Sequence, residues 1–137
     1  MAPYTQLYVH CVWATFGRLP LINPELEPRL YSVIVAKCTD LGCRTIALGG
    51  IEDHVHLLVC FPPTLAIADL LKGVKGSSSH FANHEIGGEA FKWQGGYGTF
   101  TISKRSIDSV VDYIKNQKIR HANRQLIDVL ECTESEE

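Results

Sequence analysis

The stretch Asp53-His54-Val55-His56-Leu57-Leu58-Val59 decides how this chain reads. It has the apolar, β-branched character of a buried strand, interrupted by two histidines two positions apart. A strand sends residues i and i+2 to the same face, so both imidazoles point one way. Val55, Leu57 and Val59 point the other way, into a core. Imidazole is the commonest metal-ligating side chain, and two on one pleat can share an ion. A His-x-His in an apolar strand is, taken alone, more often packing than a metal site. The surrounding sequence has to decide.

Upstream, residues 6–15 are β-branched, aromatic and apolar on both faces, as in a central strand covered on both sides. Asn23 is placed to cap a helix with Pro24 at its first position, running to about Leu41 and stopping at Gly42. Arg44 to Leu48 reads as a second strand, and Gly49-Gly50 as the turn into the histidine strand. Downstream, Pro62-Pro63-Thr64 opens a helix from about Leu65. Gly73, Gly76 and Ser77-Ser78-Ser79 predict that it is kinked or in two parts, with Gly87-Gly88 closing it. A strand over about Thr99–Ser103 follows. Ser106 then caps a strongly periodic helix, Ile107 to about Arg120, and a last amphipathic segment carries Leu126, Ile127, Val129 and Leu130. This order, β-α-β-β-α-β and then a long helix, predicts an α+β fold. A ferredoxin-like split β-α-β sandwich has such a four-stranded antiparallel sheet, here with an added C-terminal helix.

The 137 residues suit one domain over 1–132, with a disordered acidic tail over 133–137. No apolar run is long enough to span a bilayer, and the N-terminus lacks the pattern of a signal peptide. Five cysteines without a Cys-x-x-Cys pair read as reduced thiols in a cytoplasmic protein. The net charge of −2 argues against a strongly basic nucleic-acid binder, yet residues 1–124 carry 13 basic and 10 acidic groups. Lys104, Arg105, Lys115, Lys118, Arg120 and Arg124 crowd one stretch. On charge alone this is a solvated helix face rather than a phosphate-binding patch.

The histidine face also carries Leu58 and Cys60, so something apolar must cover it. The Ile107–Arg120 helix is the candidate, with Ile107, Val110, Val111 and Ile114 as its packing stripe. Tyr113 and Gln117, four apart, sit one above the other at the edge of that stripe. A phenol is a possible nucleophile and a carboxamide oxygen a possible metal ligand. Each residue alone has a bland explanation. Together with His54 and His56 they do not.

These residues resemble a known family, the single-tyrosine HUH transposases: small insertion-sequence transposases of the TnpA type and their REP-associated relatives. The likeness runs through nearly the whole chain. It includes the opening strand ending near Trp13, Asp53 to Val59, Leu71-Lys72-Gly73 with Lys75-Gly76-Ser77-Ser78, Trp93-Gln94-Gly95-Gly96-Tyr97-Gly98, and Tyr113-Ile114-Lys115-Asn116-Gln117. The resemblance implies that His54, His56 and Gln117 hold one divalent ion, Mg²⁺ or Mn²⁺. Tyr113 would then attack a phosphate of single-stranded DNA, leaving a 5′-phosphotyrosine and a free 3′-hydroxyl. It also implies hairpin-containing element ends as substrate, a homodimer, and a cytoplasmic protein that joins the nucleoid when bound to DNA. Lys75, Ser77, Lys104, Arg105, Lys118 and Arg120, with His121, are candidates for DNA contacts. Trp93 and Tyr97 can stack on bases, although core packing is at least as good a reading. His10 reads as structural. His80 and His84, four apart, read as a surface coincidence because no acidic partner is placed with them.

The main alternative is a domesticated, non-mobile protein that binds hairpins or single strands without cleaving them. A sheet-based RNA binder is a third reading, disfavoured by the covered histidine face.

Overall fold

A computed structural model describes residues 2–86 and 90–134. Four strands, β1 (Tyr8–Ala14), β2 (Arg44–Ile51), β3 (His54–Cys60) and β4 (Gly98–Ile102), pair antiparallel in the order β2-β3-β1-β4. This is the ferredoxin-like arrangement expected from the sequence. Helices α1 (Glu27–Asp40) and α2 (Ile67–Ile86) cover one face. Helices α3 (Ile107–Lys115), α4 (Gln117–Ala122) and α5 (Asp128–Glu131) follow β4.

The strand pleat sorts the side chains as predicted. Val9, Cys11 and Trp13 of β1 join Val55, Leu57 and Val59 of β3 in the main core, beneath Leu30, Ile34 and Cys38 of α1 and Leu70, Leu71 and Val74 of α2. On the opposite face a much smaller cluster, Ala47, Leu58, Val110 and Ile114, holds α3 against the sheet. The helix expected to cover the histidine face does so. Among the described residues no helix is long and apolar enough to cross a membrane. Cys11, Cys38 and Cys43 are buried free thiols.

Several local expectations change. Gly49 and Gly50 do not turn the chain; they lie inside β2, and the hairpin turn is Glu52-Asp53. Their lack of a side chain serves close approach instead. A Cβ on Gly49 would run into the Ile114 carbonyl of α3, and one on Gly50 into the His54 carbonyl. α2 is one continuous helix of 20 residues, not two parts. Its buried stripe of Leu70, Leu71, Val74, Ser78 and Ala82 outweighs the weak helix propensity of its glycines. Gly73 faces the end of α1 closely, since an added Cβ would lie 2.9 Å from Leu41 Cδ1 and 3.2 Å from Lys37 Cε. The expected closure at Gly87-Gly88 lies outside the described residues, as do residues 135–137 of the expected tail.

Asn23 caps as foreseen, its Oδ1 accepting from the Glu25 and Leu26 amides, although a turn intervenes before the helix proper. Ser106 makes no side-chain cap; a short 3-10 turn, Lys104–Ser106, leads into α3 instead. The helix expected to run unbroken to Arg120 breaks at Asn116. The Asn116 amide donates to the Asp112 carbonyl at 2.8 Å and to its carboxylate at 3.0 Å. Such local side-chain bonding competes with regular helix.

Candidate metal and nucleophile site

The hairpin between β2 and β3 places His54 and His56 on the face beneath α3, both essentially buried. Each ring is oriented through its Nδ1. His54 Nδ1 lies 2.7 Å from Asp53 Oδ1, and His56 Nδ1 lies 2.9 Å from His10 Nε2. Both Nε2 atoms are thereby turned towards one carboxylate, Glu131 Oε2, at 3.4 Å from His54 and 2.8 Å from His56. Ligand atoms of His54, His56 and Glu131 all lie within 4.8 Å of one another.

Gln117 reaches the same point, with its Oε1 3.3 Å from His54 Nε2 and 3.0 Å from His121 Nε2. The Tyr113 hydroxyl donates to Glu131 Oε1 at 2.7 Å and accepts from the Ile127 amide at 3.0 Å. One carboxylate therefore joins the histidine pair to the phenol. The guanidinium of Arg120 lies over the Tyr113 ring, 4.7 Å from its centroid. Tyr113 itself is wholly buried.

The electrostatics follow from burial and from this one negative charge. Burial lowers the pKa of His54, but the Glu131 and Asp53 carboxylates beside it raise it by more, for a net increase. For His56, burial prevails and the pKa falls. Burial, then the charge of neighbouring His56, brings His10 down to about 3, so His10 is neutral. Burial alone would raise Glu131, yet the adjoining His54 and His56 rings and the Tyr113 hydroxyl hold it well below the usual carboxylate range. Tyr113 is pushed up to about 12, by burial first and by Glu131 second, so its phenol stays protonated.

The donor set fits a divalent cation. His56 Nε2 is buried and without a hydrogen-bond partner among the described residues, although Glu131 Oε2 lies 2.8 Å away. Two imidazoles, a carboxylate and an amide oxygen form a mixed nitrogen and oxygen donor set of the kind that holds a divalent ion. Glu131 adds a negative charge to what the sequence suggested was a neutral ligand set of His54, His56 and Gln117. Glu131 reads in the sequence as one of several acids after Arg124; only its place beside the last apolar segment distinguishes it.

The other candidates separate. His121 lies within the site, its ring centroid 4.7 Å from that of His54. His10, expected to be merely structural, touches His56. Lys75 spends its ammonium on the carbonyls of Gln94 at 2.8 Å and Gly96 at 3.1 Å, tethering their loop to α2. Ser77 is on α2, behind the sheet from the histidines. Lys118 is paired with Glu27 at 2.8 Å, whereas Lys104 and Arg105 are exposed. Trp93 is a core residue whose Nε1 donates to Ser78 Oγ at 2.9 Å. His80 and His84 are both exposed.

Comparison with known proteins agrees with this geometry. The family model described as "Transposase IS200 like" matches residues 3–117, which include both histidines, Tyr113 and Gln117. The chain belongs to the IS200-like transposase family. Its class of activity is accordingly DNA transposition, and the His54–His56–Glu131 group fits the metal site of an HUH protein. This transposase is 28% identical over 120 residues to the ISDra2 transposase TnpA of Deinococcus radiodurans, covering 82% of this chain and 84% of that one. It is 27% identical over 114 residues to the IS200 transposase of Salmonella typhimurium, covering 79% and 74%. A crystal structure from Deinococcus radiodurans R1, described as a transposase, superposes with a TM-score of 0.68 at 26% identity, covering 85% and 95%. The REP-associated tyrosine transposase bound to a REP hairpin shares the fold, with a TM-score of 0.66 at 16% identity, covering 88% and 74%.

Proposed function

We propose that this transposase cuts and rejoins single-stranded DNA through a phosphotyrosine at Tyr113. His54, His56, Gln117 and Glu131 would hold one divalent ion, Mg²⁺ or Mn²⁺. The observation that carries this reading is the convergence of both histidine Nε2 atoms and the Tyr113 hydroxyl on Glu131. When bound, the ion would supply Lewis-acid stabilisation of charge on a scissile phosphate.

The chain's own residues account for the other requirements. The Tyr113 oxygen attacks phosphorus, the P–O3′ bond breaks, and the products are a 5′-phosphotyrosine and a 3′-hydroxyl. The phenolic proton passes to Glu131 Oε1, at 2.7 Å, and by way of solvent to the departing 3′-oxygen. Attack by the 3′-hydroxyl of another strand reverses these steps and returns the proton to Tyr113, so rejoining needs no nucleotide cofactor. Arg120, over the tyrosine ring, and exposed Lys104 and Arg105 supply positive charge for the phosphates. Hairpin-bearing ends are the proposed substrate, in keeping with the hairpin-bound relative of the same fold, and the proposed working unit is a homodimer.

The test uses labelled single-stranded ends from the protein's own locus, with and without Mn²⁺. A covalent protein–DNA species should form only with metal. Tyr113→Phe should abolish it while leaving DNA binding in a mobility-shift assay. An adduct that survives this substitution refutes the assignment.

A further inference from the structure

Only one of the two proposed metal-binding histidines has a carboxylate behind it. The antiparallel register sets Val12 of β1 opposite His56 and His10 opposite Leu58. His10 is therefore the diagonal neighbour of His56 on the same face of the sheet. Both residues are fully buried. Their ring planes differ by 14° and their centroids are 5.1 Å apart, while His10 Nε2 and His56 Nδ1 are 2.9 Å apart. A centroid separation so much longer than the N···N distance places the rings edge to edge, nearly coplanar, in the geometry of an in-line N–H···N bond rather than a face stack.

We propose that His10 is a positioning residue that accepts the His56 Nδ1 proton and so leaves His56 Nε2 free as a ligand. This rests on the metal reading given above. An N–H···N bond holds a single proton. A His56 Nε2 that offers a lone pair to an ion requires its Nδ1 to carry the hydrogen. That hydrogen points at His10 Nε2, which accepts it only when the His10 proton is on Nδ1. With its proton there, His10 Nδ1 is a buried N–H that has no partner among the described residues. A buried polar atom without a partner is uncommon and calls for a use. An aliphatic or phenyl side chain would fill the same space without one. Partners of this kind behind metal-binding imidazoles are usually carboxylates or carbonyls, which only accept. Asp53 is such a partner for His54. His10 can accept or donate, so it fits His56 both with an ion and, when Nε2 carries a proton towards Glu131, without one.

The test compares His10→Gln with His10→Met in the full chain, two side chains of nearly the same shape of which only the first offers an oxygen acceptor. Mn²⁺ binding is read from the loss of the free-ion electron paramagnetic resonance signal, and folding from thermal melts. His10→Met should weaken Mn²⁺ binding by about 10–100-fold, the usual cost of losing such a partner, while His10→Gln recovers most of the affinity. Equal affinities in the two variants overturn the proposal and leave the metal site standing. Absence of Mn²⁺ binding by the wild-type chain overturns the metal reading and the proposal with it. If His10→Met does not fold, long-range ¹H–¹⁵N correlation of the Mg²⁺-saturated wild-type protein decides. A His56 proton on Nδ1 supports the proposal, and one on Nε2 overturns it.

Discussion

Gly49→Ala should separate the placement of the tyrosine helix from its chemistry. The new methyl would run into the Ile114 carbonyl oxygen, with the carbonyl carbon 3.1 Å and Ile114 Cγ2 3.2 Å away. All three atoms belong to the residue that follows Tyr113. Strand β2 is hydrogen-bonded to β3 along its length and has little freedom to retreat, so α3 must move. Restoring ordinary contact distances takes a displacement of about 1 Å. Overpacking of this kind costs roughly 1–3 kcal/mol. For a chain of this size that lowers the melting temperature by about 3–12 °C. A displacement of about 1 Å between reacting groups can also cost about 10²-fold in rate. The assay is a denaturation curve beside the rate of covalent adduct formation with single-stranded DNA. Gly76→Ala is the control, because nothing among the described residues lies within 4 Å of its new methyl. It should stabilise the helix by about 0.5–1 kcal/mol and leave the rate unchanged. A Gly49→Ala protein with wild-type stability and rate refutes the reasoning.

Gly98→Ala should withdraw Glu131 without touching it: the methyl would run into the Cys132 carbonyl, and Val12 Cγ1 is only 3.0 Å away. Its Mn²⁺ affinity should fall towards that of Glu131→Ala, and unchanged binding in a folded protein would count against the placement of Glu131. Glu131→Gln should change how metal-free stability depends on pH. A carboxylate held below its ordinary 4.5 stabilises above that value and loses the effect as pH falls through its folded pKa. A histidine raised above 6.5 stabilises below that value and loses the effect as pH rises through its folded pKa. The wild-type advantage over Glu131→Gln in urea should therefore be greatest between about pH 4.5 and 6.5 and shrink on both sides; a flat difference from pH 4 to 9 would refute the linkage. Replacing Lys104 or Arg105 by Ala should reduce the slope of log K against log salt for DNA binding by about 1 each if each contacts a phosphate. Lys118→Ala should change it less, since Glu27 already neutralises Lys118.

The sheet order and the sides of the strands were legible because strand periodicity and element order carry that information locally. The alternation in Val55-His56-Leu57 left little choice of face. Gly49-Gly50 misled because a glycine pair signals either a turn or a close approach, and only the packed Ile114 distinguishes them. The glycines and serines of α2 misled for a similar reason: helix breaking is a local tendency, overridden by the stripe buried against α1 and the sheet. His54, His56, Tyr113 and Gln117 could be grouped because each pair is set by local spacing. Glu131 follows Tyr113 by eighteen residues, beyond α4 and an irregular connection over 123–127 that carries no periodicity. His10 meets His56 only through the β1–β3 register, which neither strand states alone.

The two faces of the sheet are also unequally secured. Behind it, α1 and α2 share a broad apolar core. In front, α3 is held by four buried side chains, two of its own and two of the sheet, by partly buried neighbours, and by the polar bonds around Glu131. Such layers do not open together, and the less buried one is released at lower free energy. The front layer is therefore expected to lift first, as a leaf, with the amides of α3 exchanging before those of α1 and α2. Ligands that bridge the leaf and the sheet would oppose this opening in proportion to their binding free energy. Occupancy of the site and closure of the leaf are then one linked equilibrium.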